Sequence, residues 1–405
     1  MKVCIIGGGA AGMMAALSAA EEGYTVTVLE RQNRVGRKLL ATGNGRCNLT
    51  NLGACPAHYH GADPDFVRPA LERFSVSDTL AFFRSLGLYT VEEADGKIYP
   101  LSDQANSVVD VLRSAMEQRG VNVVTSCDVL SLGHKARGWN VTTTGESYYA
   151  DKVILTAGGC AGKALGGTRS GYHLLELLGH ETSALCPSLV QIKTDPTWVR
   201  SLKGVRADAA VTLKLGGKAA DACAGEIQFT DFGLSGPTAF ALSRTVSVSE
   251  QEALLLLDFL REYDEETILS SLRERQARFP QMEAEQLLVG MLNSRLGTVI
   301  LKYAGAELHT PLAALEEEML RKIAHTLKYF ALPVQGVLGM EHAQVTAGGV
   351  YTAQFRADTL ESRLAPGVYA AGEVLDIDGD CGGFNLQWAW SSGFVAGKLG
   401  KRDSL

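Results

Sequence analysis

The sequence predicts an α/β protein: a nucleotide-binding domain on a parallel sheet, discontinuous in sequence, with an inserted β-rich domain that carries a small helical piece. Three observations lead there. A short apolar run over residues 3–6 ends in Gly7, Gly9 and Gly12 at G-x-G-x-x-G spacing. Near Cys186 the texture changes to short alternating runs closed by turn glycines. After Gly339 the chain returns to apolar runs that end in glycine, as at 368–372.

The opening element follows from its residues. Gly7 permits the tight turn out of the first strand, and Gly9 lets the backbone approach a pyrophosphate. Gly12 allows the helix Ala10–Glu21, which includes Ala11, to pack closely on the sheet with its positive N-terminus toward phosphate. Glu30 ends the second apolar run eighteen residues past Gly12, placed to accept hydrogen bonds from a ribose. A carboxylate there disfavours a 2′-phosphate. Strand, helix and acid in register predict a Rossmann-like dinucleotide site. A secretory signal peptide is the competing reading of this apolar start. It fails, because the stretch has one Lys, glycines in its apolar core and no cleavage-type end.

Helical patterning follows at 78–86 and 105–119. Alternating runs at 121–125, Trp139–Thr143 and Tyr148–Ala150 read as a β-meander, and Val129 falls at its start. Lys152–Leu155 is a further buried strand, ending in small residues that include Ala157 and Gly158 at the sheet edge where ligands bind. In the insert, 189–193, 209–215 and 226–230 read as antiparallel strands, and 264–277, 284–303 and 315–329 as helices. The expected division is a first part of the nucleotide domain over 1–188, the β-rich insert over 189–260 and a helical subdomain over 261–328. A return strand to the insert over 329–338 and the second part of the nucleotide domain over 339–405 complete it.

Composition narrows the function classes. With 405 residues, 46% hydrophobic and 20% charged, the chain has the makeup of an ordinary soluble enzyme with room for two or three domains. A net charge of −7 argues against a general DNA or RNA binder, and no apolar stretch approaches a membrane span. Eight scattered cysteines without a C-x-x-C pair are expected to stay reduced, so a cytoplasmic location is expected.

Two further segments turn a dinucleotide into a flavin. The first, at 36–50, reads G-R-K-L-L-A-T-G-N-G-R-C-N-L-T, too rich in Gly and Asn for a regular element. A backbone-donor loop of this kind, with Asn44, Gly45 and Cys47 in it and Arg31, Arg37, Lys38 and Arg46 nearby, suits a pyrophosphate and the adjacent isoalloxazine. The second, at 371–390, carries Gly372-Glu373 at a strand end. A Gly382-Gly383 pair then opens the helix Phe384–Gly397. Such a helix start can aim N–H groups at the pyrimidine edge of a flavin and stabilise negative charge there. Asp376, Asp378 and Asp380 superficially suggest a calcium loop. That fails, because the glycine position is Cys381 and the bidentate-acid position is Gln387.

With these segments the chain resembles the bacterial flavoprotein family called HI0933-like. The resemblance spans nearly the whole chain. It rests on G-R-K-L-L-A-T-G-N-G-R-C-N, on F-T-D-F-G-L-S-G-P at 229–237 and on G-E-V-L-D-I-D-G-D-C-G-G-F-N-L-Q-W-A-W at 372–390. The family's members have been described as amine oxidases, bile-acid enone reductases and ribosomal RNA uridine reductases. The resemblance implies FAD and a plan of a discontinuous Rossmann-like FAD-binding domain, a β-barrel-like domain and a small helical one. It places Ala11 and Gly12 at the pyrophosphate, Glu30 at the ribose, Arg37 and Lys38 on the loop side, and the Val129 backbone at adenine. Gly372, Glu373, Asp376, Asn385 and Leu386 would lie along the ribityl chain and flavin. Cys381 and Phe384 stand where the family pattern has Thr and Tyr, which removes a hydroxyl from the flavin's surroundings.

Other constellations carry blander expectations. Cys55-x-x-His58-x-His60 has no second ligand cluster and reads as a surface loop, so no metal is expected. Cys47 and Cys381 read as packing residues rather than a redox pair, and His173 and His180 as capping or packing histidines. The glycines between 158 and 171 lack the order of a second nucleotide site, so nicotinamide is expected to bind only transiently. Trp198, Arg200, Lys203 and Arg206 form a basic-aromatic patch that reads as a solvated loop rather than an RNA contact.

The expected function is that of an FAD-dependent oxidoreductase reduced by NAD(P)H, passing hydride to a conjugated C=C bond. The substrate would be a steroid-like enone or a ribosomal RNA uridine, lying between the FAD and inserted domains. An amine oxidase using oxygen and an RNA-associated flavoprotein are the alternatives. No side chain stands out as the proton donor.

Overall fold

Five strands form the expected parallel sheet in the order Val368–Ala370, Lys152–Leu155, Lys2–Ile6, Thr25–Leu29 and Asn122–Val124, every pairing parallel. Strands buried on both faces need continuous apolar runs, and four of the five residues of Lys2–Ile6 are buried. The computed structural model describes residues 1–401 in two compact units. One comprises Met1–Pro187 and the chain from Ala343 onward, and the other Ser188–His342. The nucleotide domain is thus discontinuous. The strand Cys186–Ser188 leaves it and pairs with Val345–Ala347, which returns to it. The return lies beyond the expected boundary at 338/339. The Leu338 N–H donates to the Gln191 carbonyl at 3.0 Å and keeps this stretch with the inserted unit.

The first helix, Ala10–Glu21, and the last, Phe384–Gly397, form the core of the nucleotide unit. Both are apolar on nearly every face, as helices enclosed by protein must be. They touch through glycine. A Cβ on Gly393 would sit 2.4 Å from the Ala11 carbonyl oxygen, and one on Gly397 would sit 2.6 Å from that of Ala15. Contacts of 393 with 11 and 397 with 15 mean that the helices run parallel. The last helix begins eight residues further back along this shared direction, an offset of about 12 Å at 1.5 Å per residue. Its rotation is fixed by a buried network. Thr50 Oγ1 donates to Gln387 Oε1 (2.5 Å), and Gln387 Nε2 donates to Thr79 Oγ1 and Ser391 Oγ (2.9 Å each).

The inserted unit is a closed six-stranded barrel in the order Ile192–Thr194, Gly233–Ser235, Lys218–Phe229, Arg206–Leu215, Ala253–Asp258 and Phe330–Val337. Its helices are not a separate body. Ile268, Leu272, Leu320, Ile323 and Leu327 share one core with Leu255, Leu257, Phe330 and Leu332 of the barrel. The helix expected over 284–303 is broken. Ala284–Gln286 is a single 3₁₀ turn, Gly290 adopts φ +89°, and Asn293 caps a new helix, Ser294–Ala304, by accepting from the Arg295 N–H. The quoted 229–237 stretch is a barrel corner. There Gly233 at φ +157° passes so close to Ile192 that a Cβ would meet its carbonyl oxygen at 2.0 Å.

Two outcomes follow. Gly393→Val forces the paired helices apart, and should cost about 1–3 kcal/mol of stability and release the cofactor, read by thermal melting and flavin absorbance. Replacing residues 188–342 by a short flexible linker should leave a folded unit that still binds FAD, read by circular dichroism and flavin retention.

Candidate functional site

The first and last helices of the nucleotide unit each start at a glycine with no side-chain cap: Gly9 precedes the first helix and Gly383 the last. The first N–H groups of a helix lack intrahelical acceptors, so each start presents donors and a partial positive charge to a ligand. The glycines of the first turn divide by role. A Cβ on Gly7 would lie 2.5 Å from the Thr156 carbonyl oxygen, and one on Gly12 would lie 1.9 Å from that of Gly7, so the fold itself demands both. Gly9 differs. Its backbone, at φ −79° and ψ −167°, suits any residue, and a Cβ there meets nothing within 4 Å. Open space at this glycine is the cradle into which a pyrophosphate fits. Gly45 and Gly158, both at positive φ, also face open space.

Glu30 ends the second strand with its carboxylate held in place. The N–H of Gly8 donates to Oε2 (2.7 Å) and that of Gln32 to Oε1 (2.6 Å). A carboxylate oxygen has lone pairs to spare for ribose hydroxyls after one such bond. The Cys127 N–H donates to the Glu30 carbonyl, which ties the start of the strand Val129–His134 to this end of the sheet.

The basic residues around the glycine loop split into two kinds. Arg31 donates to the Gly166 carbonyl (2.9 Å) and Arg37 to Gln32 Oε1 (2.7 Å). Those acceptors are neutral, so both guanidinium charges persist. Lys38 instead forms an ion pair with Glu373 at 2.7 Å, and the other Glu373 oxygen accepts from the Thr346 N–H at 2.8 Å. Arg46 departs from the expectation of a cation facing the cofactor. It is bonded to Glu93 and Asp103 and lies 4.2 Å over the Tyr99 ring, bracing the loop. Asn385 also departs, because its side-chain amide is engaged twice with Gly379 (2.8 and 2.7 Å). What it and Leu386 can offer a ligand is backbone N–H. Asp376 is buried, accepting from the Ala62 N–H at 3.2 Å.

One residue beyond those singled out from the sequence belongs here. Asn48 Oδ1 is buried and has no hydrogen-bond partner, and it lies 2.9 Å from where a Cβ on Gly383 would sit. A buried orphan acceptor is costly. Beside the donors of the last helix it makes a donor–acceptor pair that complements the C2=O and N3–H of a flavin pyrimidine ring. Its signal was available in the sequence, as the last Asn of G-N-G-R-C-N. Cys47, just before it, sits at φ +64°, and burial pushes its thiol up to about 12, so it stays protonated and packs. All eight cysteines are free thiols.

In the inserted unit the basic-aromatic patch is largely neutralised. Lys203 pairs with Asp231 (2.8 Å), Arg206 with Glu226 (3.5 Å), and Trp198 packs edge-on against Tyr303. No helix among the described residues is long and apolar enough to cross a membrane.

Comparison with known proteins identifies the family. The description HI0933-like protein Rossmann domain matches residues 1–399. The chain is 38% identical over 402 residues to a 3-dehydro-bile acid delta(4,6)-reductase of Clostridium scindens, covering 98% of each. It is 30% identical over 394 residues to a ribosomal RNA dihydrouridine synthase of Escherichia coli, covering 96% of each. Among solved structures, a 3-ketosteroid-delta4-(5alpha)-dehydrogenase from Rhodococcus jostii aligns at TM-score 0.48 and 18% identity, covering 98% of this chain and 96% of that one.

The glycines of the first turn separate fold from ligand. Gly9→Val should keep the stability of the cofactor-free protein within about 0.5 kcal/mol, yet yield colourless protein that takes up no FAD. Gly12→Ala should instead lower stability itself by about 1–3 kcal/mol. Paired melting curves and flavin titrations distinguish the two.

Proposed function

The chain belongs to the HI0933-like family of FAD-binding oxidoreductases, and from that membership we propose that it reduces a conjugated C=C bond of a steroid-like enone, drawing its electrons from NAD(P)H. The observation that carries this reading is the identity of 38%, end to end, with the bile-acid reductase. FAD, when bound, supplies the hydride chemistry. The protein's own residues supply the rest. The first helix start, with Arg31 and Arg37, meets the pyrophosphate charge, and Glu30 takes the ribose. Val129 contributes backbone at the adenine, and Gly372, Glu373 and Asp376 line the ribityl side. The last helix start and Asn48 read the pyrimidine edge, where positive N–H groups favour added negative charge.

A uridine in ribosomal RNA is the second reading, favoured by the Escherichia coli relative. Its double bond is also conjugated to a carbonyl, so one chemistry serves both. The small molecule is preferred because Lys203 and Arg206, which would grip a phosphate backbone, are already answered by acids.

The test is anaerobic. NADH or NADPH should bleach the flavin absorbance, and a 3-oxo steroid with a conjugated double bond should restore it within turnover time. Recovery with uridine-containing RNA but not with the enone would replace the first reading by the second. Bleaching by amines alone would remove both.

A further inference from the structure

Two histidines two residues apart meet a carboxylate more than 300 positions further on, just before the last helix. Asp380 Oδ2 lies 2.9 Å from His58 Nδ1, and Oδ1 lies 2.7 Å from His60 Nε2. An ionised carboxylate only accepts, so each imidazole places an N–H on it. The backbone fixes the arrangement. Asp378 and Gly379 pair antiparallel with His60 and Tyr59, and the Asp380 N–H donates to the His58 carbonyl at 3.0 Å. The clasp bears directly on the helix start. The His58 ring stacks on Phe384 with centroids 4.3 Å apart, and the Tyr59 hydroxyl donates to the Phe384 carbonyl at 3.0 Å. All three side chains stay open to water, at 39%, 35% and 42% exposure for His58, His60 and Asp380.

We propose that the His58–Asp380–His60 clasp is the proton-holding group of the cofactor site. It takes up one proton from water when the site gains negative charge through two-electron reduction of FAD. The inference rests on the FAD reading above, and not on the choice of substrate. The only bond formed in the clasp is N–H on one imidazole. The electrons come from the external reductant, NAD(P)H or dithionite, and the proton from the buffer. With Asp380 ionised and both imidazoles neutral the clasp carries one negative charge, which opposes a more negative cofactor. One added proton cancels it. His58 and His60 are positioning residues in this scheme, acting on the cofactor through the helix start that they brace.

Most neighbouring groups are held by partners or by burial. Burial works to raise the Asp380 carboxyl, but the bonds from His60 and His58 outweigh it and hold it below the ordinary carboxylate range. A depressed carboxyl remains ionised above that range and loses its charge only as pH falls through the lowered value, so it is a constant partner near neutrality. Burial drives the Tyr59 phenol far up. Asp376 and Asp378 are buried carboxylates with partners of their own. Lys97, 3.5 Å from where a Cβ on Gly382 would sit, pairs with Asp95 at 3.0 Å. The remaining neighbours are the thiols of exposed Cys55 and half-buried Cys381. Imidazole is the side chain whose charge changes between about pH 5 and about pH 8.

The experiment measures the flavin midpoint potential of the FAD-loaded full-length protein by dye equilibration across that window. Each proton taken up with the electron pair is a tenfold change in the equilibrium constant per pH unit, or about 30 mV. The wild type should show one proton's worth of extra slope that the double variant H58Q/H60Q lacks. D380N, which keeps both imidazoles but removes their carboxylate partner, should move the steep window to lower pH. Equal slopes in the wild type and the double variant would overturn the proposal, as would an unmoved window in D380N. A protein that takes up no FAD overturns the cofactor reading and the clasp together. An FAD-loaded protein with the extra slope but no enone turnover sustains the clasp and removes only the substrate.

Discussion

The close approach of two helices through Gly393 and Gly397 is the contact on which the rest of the nucleotide unit depends. With the backbones of Ala11 and Ala15 in direct contact with these glycines, neither helix can slide or rotate without a steric penalty. That contact fixes the offset of about 12 Å between two uncapped N-termini facing the same way. A pyrophosphate and a flavin pyrimidine ring are separated by a ribityl chain of comparable reach, so one rigid pair of helices can address both the middle and the flavin end of the cofactor. The other end of the pair is closed by Lys398, a side chain only 9% exposed that bonds Glu22 at 2.8 Å. A partly buried charge needs such a partner, and the ion pair holds the helix ends in line.

Much of this was legible in the sequence because it is local. The G-x-G-x-x-G turn, the acid at 30 and the full span of the last helix all follow from patterns within one or two turns of chain. The sequence also gave away the interruption of the domain, since the apolar runs before 188 and after 342 belong to one sheet. What it concealed depends on partners remote in sequence. Arg46 reads as a phosphate ligand until Glu93 and Asp103 are seen to claim it. His58 and His60 read as loop residues because Asp380 lies more than 300 positions away. The helix expected over 284–303 is a different failure. Its apolar spacing continues through Gly290 and Asn293, and only the cap and the left-handed glycine reveal the break.

The glycines also show that one motif can hold residues with different obligations. Gly7 and Gly12 are fixed by carbonyl oxygens of the protein, and would be needed with no ligand at all. Gly9 is fixed by nothing in the protein. Its lack of a side chain leaves that space open to another molecule, which speaks to function more directly than the motif itself. Asn48 makes the complementary point. A polar atom that the fold buries and leaves unpaired implies a missing partner with a donor, and the adjacent helix start specifies where that partner must place an acceptor.

The cations around the glycine loop fall into two classes. Lys38 and Arg46 are neutralised by carboxylates, whereas Arg31 and Arg37 are steadied by neutral acceptors and, among the described residues, pair with no acid. A phosphate group bound at the first helix start would be attracted by two full charges and the helix dipole, without a flexible cation that must be ordered on binding. At the opposite end the negative charge of a reduced flavin would meet the N–H dipoles of the last helix, fixed in sign and magnitude. A fixed dipole cannot respond to a change of redox state. The adjustable charge in the proposed scheme belongs to a group that is open to water yet touches the helix, and the imidazoles on Asp380 are partly exposed, with His58 stacked on Phe384. The need for a rigid helix pair and the need for a variable charge are thus met by separate parts, joined where His58 stacks on Phe384.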